Sequence, residues 1–322
     1  MEHRLSLDRI AEARQYIDPV FLDSPQFEAK TIGSRLGCRL VVKNESLNPG
    51  GSFKARGAHY LASRLPKGSR LACSTAGNFG QGLASAARKY GHSLTVFTAI
   101  HANALKIERM RAFGAEVRQV GDDPDETHRA AETYASDNGA MLITDGREPA
   151  LAEGAGTIAI ELLRWPEAID AVLVPLGDGA LIGGVGRWIK AQAPATRIIG
   201  VCTEGAPAMA RSWQAGRVTR VTCGKTIADG LAISTPHAEA LTDLQGIVYD
   251  ILLVDDSALI GAMRLVHREL GIVLEPSGAA GIAALYSCRD RFQGQLVATI
   301  LTGGNATPEQ TRRWLMDDPG ET

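Results

Sequence analysis

The strongest constraint on this chain is an alternation of short apolar runs with longer helical segments. Residues 70–73, 94–98, 115–120 and 141–143 read as strands, and the alanine-rich stretch ending near Tyr90, then residues 103–113 and 125–137, read as the helices between them. Strands joined by helices of this length predict βαβ units and a parallel sheet. Thr144-Asp145-Gly146-Arg147-Glu148-Pro149 interrupts the rhythm and is a candidate domain crossing. A second series follows, with strands predicted at 171–175, 198–202, 248–254 and 296–301 and helices at 153–164, beyond the loop ending at 184 to about 192, 257–270, 277–288 and from 308. Residues 205–230 give no clear reading. Ahead of both series lie a capped helix over 6–15, helical spacing over 28–36 and a strand over 39–43. A length of 322 residues suits two domains.

Composition narrows the function classes. With 45% hydrophobic and 22% charged residues and a formal net charge of −2, nothing favours nucleic acid or an anionic membrane surface. The five cysteines, at 38, 73, 202, 223 and 288, lack CxxC spacing and metal-type histidine partners, so reduced thiols are expected. The N-terminal residues lack the basic-then-apolar order of a secretory signal, and no apolar run approaches the roughly 20 residues that span a bilayer. These features predict a cytoplasmic protein.

Several loops carry candidate chemistry, each placed before a helix. In Asn48-Pro49-Gly50-Gly51-Ser52-Phe53-Lys54, the two glycines permit positive φ, Ser52 is the expected N-cap, and Lys54 then falls in the first helical turn. The helix dipole disfavours a structural cation there, whereas a lysine beside an anion site suits capture of a carbonyl compound; a solvated lysine after a turn is the plain alternative. Residues 177–184 (Gly177, Asp178, Gly179, Ala180, Leu181, Ile182, Gly183, Gly184) resemble a phosphate cradle at a helix start, or else a packing turn. The Asp178 carboxylate is expected to point away from a phosphate, into solvent or toward a neighbouring group. Ser74-Thr75-Ala76-Gly77-Asn78 offers backbone amides for a carboxylate, and Thr302-Gly303-Gly304-Asn305 offers a hydroxyl at a strand end. Ligands of open α/β sheets bind at the carboxyl ends of strands, so these loops are expected to converge.

Together, these motifs resemble the fold type II pyridoxal-phosphate enzymes, in the branch of threonine/serine dehydratases (ammonia-lyases) and serine racemases. Thr226-Ile227-Ala228-Asp229-Gly230 and Glu275-Pro276-Ser277-Gly278-Ala279 belong to the same likeness, which runs in the family's order from about Ile10 to Asn305. The resemblance implies two open, mainly parallel twisted sheets flanked by helices, as in tryptophan synthase β. It implies a large cofactor-binding domain of residues 1–57 and 147–322 and a small substrate-binding domain of residues 58–146. Lys54 would carry pyridoxal 5′-phosphate and, once released, act as the Cα base. Phe53 would pack on the cofactor, Asn78 would bind its 3′ oxygen, Gly177, Asp178, Gly179, Ala180 and Leu181 would hold its phosphate, and Thr302 would face the pyridine nitrogen. A neutral hydroxyl there makes a weaker electron sink and favours prompt β-elimination. Ser74, Thr75, Ala76, Gly77, Asn78 and Phe79 would bind the substrate, an amino acid, with its carboxylate on residues 75–78. A homodimer is the family-level expectation for assembly.

Departures from the family pattern refine that reading. Gly50 replaces a common Thr and gives the lysine motif a cysteine-synthase flavour. Phe79 stands where dehydratases carry His, which predicts an apolar wall and a larger β-substituent. Ala76 occupies the position of the racemases' second acid/base, so racemisation is disfavoured. Ala210, six residues after Glu204, leaves the racemase-type metal site incomplete, and no metal is expected. The predicted reaction is β-elimination from a β-hydroxy amino acid to a 2-oxo acid and ammonia. A β-replacement synthase and a non-catalytic ligand-binding protein are the alternatives.

Overall fold

Among the described residues, ten strands and thirteen α-helices form two sheets, with helices packed on both faces of the larger one. The structure is a computed structural model, and it describes residues 3–316 apart from Ala76, Asp123 and Cys223. The strands are β1 Gln26–Glu28, β2 Arg39–Asn44, β3 Arg70–Ser74, β4 Ser93–Thr98, β5 Glu116–Gln119, β6 Met141–Leu142, β7 Ala171–Pro175, β8 Arg197–Thr203, β9 Asp250–Val254 and β10 Leu296–Leu301. The first seven helices are α1 Leu7–Tyr16, α2 Lys30–Leu36, α3 Lys54–Ser63, α4 Asn78–Tyr90, α5 Ala104–Ala112, α6 Pro124–Asn138 and α7 Pro149–Leu162. The remainder are α8 Ala180–Gln192, α9 Ala208–Ala215, α10 Ala238–Leu244, α11 Asp256–Leu270, α12 Pro276–Ser287 and α13 Pro308–Thr311.

The large sheet has the order β1-β2-β10-β7-β8-β9, parallel except for β1 against β2. Its central strands β10 and β7 are buried along their whole length and, Thr299 apart, apolar, because both faces are covered. Leu40, Val42, Leu173 and Val297 face a core built with α2, α11 and α12, while Val41, Val172, Val174 and Ile300 face one built with α7, α8 and α10. This alternation is the two-residue period of a strand, and it fixes register, since a one-residue slip would exchange the faces. The small sheet has the order β5-β4-β3-β6, all parallel, and its core gathers α3, α4 and α5.

Several expectations are corrected here. Residues 26–28 are an edge strand, and the helix expected over 28–36 begins only at Lys30. The helix expected from 153 starts at Pro149, whose ring suits the first turn. Helix α10 has no counterpart in the sequence reading, and neither does α9, inside the stretch that gave no clear reading. Ser52 does not cap α3. Phe53 occupies the N-cap position without a side-chain bond, and Ser52 instead forms a bridge with Gly303. No helix among the described residues is long and apolar enough to cross a membrane.

A buried ionic cluster locks α3 in place two residues beyond Lys54. Arg56 is fully buried and donates from Nε and Nη2 to Glu45 at 2.9 and 2.8 Å. It also donates from Nη1 and Nη2 to Glu161 at 2.6 and 2.9 Å, and to the hydroxyls of Thr157 and Ser24. Lys43 completes the cluster 2.6 Å from Glu161, so two cations face two carboxylates without net charge.

Candidate active site

Strands β2, β10 and β7 are neighbours, so their carboxyl ends open onto one edge of the large sheet, the usual ligand position in such folds. The lysine loop and the Thr302 loop are stitched together there. Phe53 N donates to Thr302 O at 3.1 Å, and Gly304 N donates to Gly51 O at 3.0 Å. Gly51 has φ +68°, and a Cβ on it would lie 2.4 Å from Asn305 Oδ1, so the turn excludes any side chain. Helix α4 crosses closely enough that a Cβ on Gly82 would stand 2.9 Å from the Lys54 carbonyl carbon. The lysine backbone is thereby fixed from two sides.

A cleft lies at this edge, lined by Phe53, Lys54, Asn78, Thr302, the 177–181 loop and a wall of Gly230, Leu231, Glu275 and Ser277. Lys54 donates to Asp145 Oδ2, stands 4.0 Å from Asp178 Oδ2, and lies 5.0 Å from the centre of the Phe53 ring. Burial works to lower the Lys54 pKa, but the charges of Asp145 and Asp178 outweigh it and hold the amine protonated above its ordinary range. Burial and the Asp145 charge together push the Asp178 carboxyl up to about 6. Asp178 therefore turns to a neighbouring group, as expected, and that group is the lysine.

Asn78 opens α4 and donates from Nδ2 to Glu275 Oε1 at 2.5 Å, while its Oδ1 accepts from Asn305 Nδ2 at 2.8 Å. Lys106 reaches in from the small-sheet layer, 2.8 Å from Asp229 and 4.0 Å from Glu275 Oε2. Burial pushes the Glu275 carboxyl up to about 7, against the opposing pull of the Lys106 charge. The folded apoprotein thus prefers Glu275 protonated, and that preference stabilises it below the ordinary value of 4.5 and is lost as pH rises through about 7. Glu275→Gln is expected to raise the apoprotein's melting temperature at pH 8, and the gain should vanish below pH 4.5. Equal gains at both pH values, measured by thermal unfolding, would show that the carboxyl does not titrate in this window.

The loop of residues 74–79 divides. Ser74 Oγ bonds Thr127 Oγ1 at 2.7 Å, and Thr75 Oγ1 accepts from Gly77 N at 3.2 Å, so both hydroxyls serve the loop itself. No side chain caps α4, which leaves its first N–H groups for a ligand anion. Phe79 is 5% exposed and packs with Leu83, Ile107 and Met110 in the small-sheet core. Ala76 lies outside the described residues.

Three partners in this site were missed by sequence reasoning: Asp145 on Lys54, Lys106 on Asp229 and Glu275, and Arg109, which donates to Asn305. Asp145 lies three residues beyond β6, the strand next to β3, and a carboxylate just past a parallel strand was the available signal.

The sequence matches the family described as pyridoxal-phosphate dependent enzyme over residues 17–303. It is 31% identical over 304 residues to an L-threonine ammonia-lyase of Thermotoga maritima, covering 94% of this chain and 76% of that one. It is 33% identical over 290 residues to an L-threo-3-hydroxyaspartate ammonia-lyase of a Pseudomonas species, covering 89% and 91%. The fold superposes on the processed form of threonine deaminase isoform 2 from Solanum lycopersicum with a TM-score of 0.88 and 28% identity, covering 97% of this chain and 90% of that one. The chain belongs to the pyridoxal-phosphate-dependent enzyme family. Its architecture is that of fold type II, its cofactor is pyridoxal 5′-phosphate, and its reaction is that of an ammonia-lyase.

The residues present fit this cofactor. Ser277 Oγ and Glu275 Oε2 are buried at the cleft without hydrogen-bond partners, so the wall is built for a polar ligand. Gly179, at φ +98°, turns the chain into α8 so that the first N–H groups of that helix, which have no intrahelical partner, open onto the cleft.

Proposed function

We propose that Lys54 is the cofactor-bearing residue and Cα base of a β-elimination that turns a small β-hydroxy amino acid, threonine or serine, into a 2-oxo acid and ammonia. The observation carrying this reading is the placement of the Lys54 amine in the cleft with Asp145 and Asp178 beside it. Gly177 to Leu181 would hold the phosphate group, Phe53 would flank the ring, Asn78 would bind the 3′ oxygen and Thr302 would face the ring nitrogen. When bound, pyridoxal phosphate supplies the electron sink that makes the Cα proton removable.

The chain's own residues perform the remaining work. The first N–H groups of α4, with Thr75 to Asn78, hold the substrate carboxylate and fix which Cα bond faces Lys54. Asp145 accepts a hydrogen bond from the Lys54 amine and so orients it. The buried Asn78–Glu275–Asn305 network sets the amide orientation of Asn78, since its Oδ1 accepts from Asn305 and its Nδ2 must donate. We read residues 58–146 as the small domain that closes over this cleft, and a cytoplasmic homodimer as the working form.

Purified protein supplied with cofactor is expected to turn yellow and to release 2-oxo acid from L-threonine or L-serine. Cofactor binding without 2-oxo acid from either would sink this reading. A sulfide-trapping assay that yields cysteine in place of pyruvate would favour the β-replacement alternative.

A further inference from the structure

Helix α5, in the small-sheet layer, sends two cations across to the large sheet. Lys106 and Arg109 stand three residues apart and so lie on one face of the helix. Lys106 reaches Asp229 at 2.8 Å and stands 4.0 Å from Glu275 Oε2, while Arg109 Nη1 donates to Asn305 Oδ1. Glu275 and Asn305 are also the groups on the large-sheet side that bond Asn78. Gln81, one turn along α4, adds only a long contact of 3.5 Å to Asn78 Oδ1.

The contacts from Arg109 through Asn305 to Asn78 run in one direction. A guanidinium has donors and no acceptor, so the Asn305 atom that faces it is the oxygen. The Asn305 amide nitrogen then turns to Gly50 O at 2.7 Å and to Asn78 Oδ1 at 2.8 Å, which uses both its hydrogens. Gly50 O can only accept, so both ends of the Asn305 amide agree on its orientation. Asn78 Oδ1 is thereby occupied, and its nitrogen must donate. Glu275 takes one of the two Nδ2 hydrogens, and the second is left for a ligand in the cleft that Asn78 lines. Gly50 brings no charge to this relay, whereas Arg109 places a full positive charge at its head. Asn305 is only 4% exposed, so little water screens that charge. Each bond in such a chain polarises the next, which makes the Asn78 N–H a stronger donor than an isolated amide.

We propose that Arg109 is a positioning residue for the cofactor. Acting through Asn305, it orients and polarises Asn78, so that Asn78 gives a strengthened hydrogen bond to the cofactor's 3′ oxygen. The inference rests on the reading that Asn78 binds that oxygen. Arg109 and Asn78 belong to α5 and α4 of the small-sheet layer, and Asn305 follows β10 of the large sheet. The relay therefore crosses between the layers twice and is complete only where they meet.

The test uses a cofactor analogue that lacks the group the relay serves. The full chain, freed of cofactor, and its variants are titrated at pH 8 with pyridoxal 5′-phosphate and with 3-deoxypyridoxal 5′-phosphate. The ratio of the two dissociation constants measures the preference for the 3-hydroxyl. A loss of folding or of phosphate binding weakens both ligands and cancels in this ratio. Asn78→Ala is expected to lower the preference about tenfold, and Arg109→Met, which removes the charge but leaves Asn78 in place, about threefold. Adding Arg109→Met to Asn78→Ala should change the preference no further, because the relay then has no end to act on. A preference lowered by Asn78→Ala but unmoved by Arg109→Met overturns the inference and leaves the Asn78 reading standing. So does an Arg109→Met effect that persists at full size without Asn78. A preference unmoved by Asn78→Ala overturns both.

Discussion

Lys54→Ala is expected to lower kcat for 2-oxo acid formation by at least about 10²–10⁴-fold, the range associated with loss of a positioned general base. The variant should also lose the absorption band of lysine-bound cofactor while keeping the far-ultraviolet spectrum of the native fold. The side chain is held by ligand-facing groups, Asp145, Asp178 and the Phe53 ring, and not by the apolar cores. Its removal leaves two carboxylates 14% and 29% exposed, able to recruit water, so the fold should persist. Lys54→Arg separates charge from chemistry. Guanidinium keeps the pairing with Asp145 but gives up its proton far less readily, so activity should stay lost. Wild-type rates in Lys54→Ala would refute the assignment.

Arg56→Met is expected to destabilise the protein by about 3–5 kcal/mol, because it strands Glu45 and Glu161 in the interior with Lys43 alone to balance them. Burial by itself would raise the Glu161 carboxyl, yet hydrogen bonds and charge from Arg56 and Lys43 hold it at about 2. A lowered carboxylate pKa contributes stability above the ordinary value of 4.5 that is lost as pH falls toward 2, so the wild type should soften on acidification through this window. Arg56→Met should show a smaller acid loss, having already lost most of that contribution. Adding Glu161→Gln to Arg56→Met should restore part of the stability by removing one unpaired charge. Urea unfolding of the apoproteins at pH 7 and pH 4 measures each term. A change below about 1 kcal/mol in Arg56→Met would mean that water or a shifted side chain replaces the guanidinium.

Much of the site was legible because its determinants are local. Gly50 and Gly51 take the positive φ their loop predicted, and both series of βαβ units fold as parallel sheets. The N-cap was misjudged at Ser52 because its backbone is drawn into a bridge with Gly303, some 250 residues away in sequence, and a propensity rule cannot weigh that partner. Phe79 reads as a pocket wall when set beside the asparagine motif. On a helix, however, residue 79 turns about 100° from residue 78, and the apolar ring goes to the small-sheet core while Asn78 faces the cleft. Lys54 also has more ionisable company than the motifs suggested. Asp145 looked like part of a domain crossing, with no residue pattern around it to mark a function.

The amino-acid order by itself marked which loops are candidates for chemistry and which lysine is proposed as the base. Periodicity, glycine turns and helix starts act over a few residues and leave their record in adjacent positions. Only the tertiary structure decided what surrounds that lysine. Asp145 and Asp178 meet Lys54 because β6 and β7 end at the same cleft from separate sheets, and Glu275 titrates near neutrality because burial removes its water. Charge balance in a cleft is a sum over groups distant in sequence, and such a sum exists only once the chain has folded.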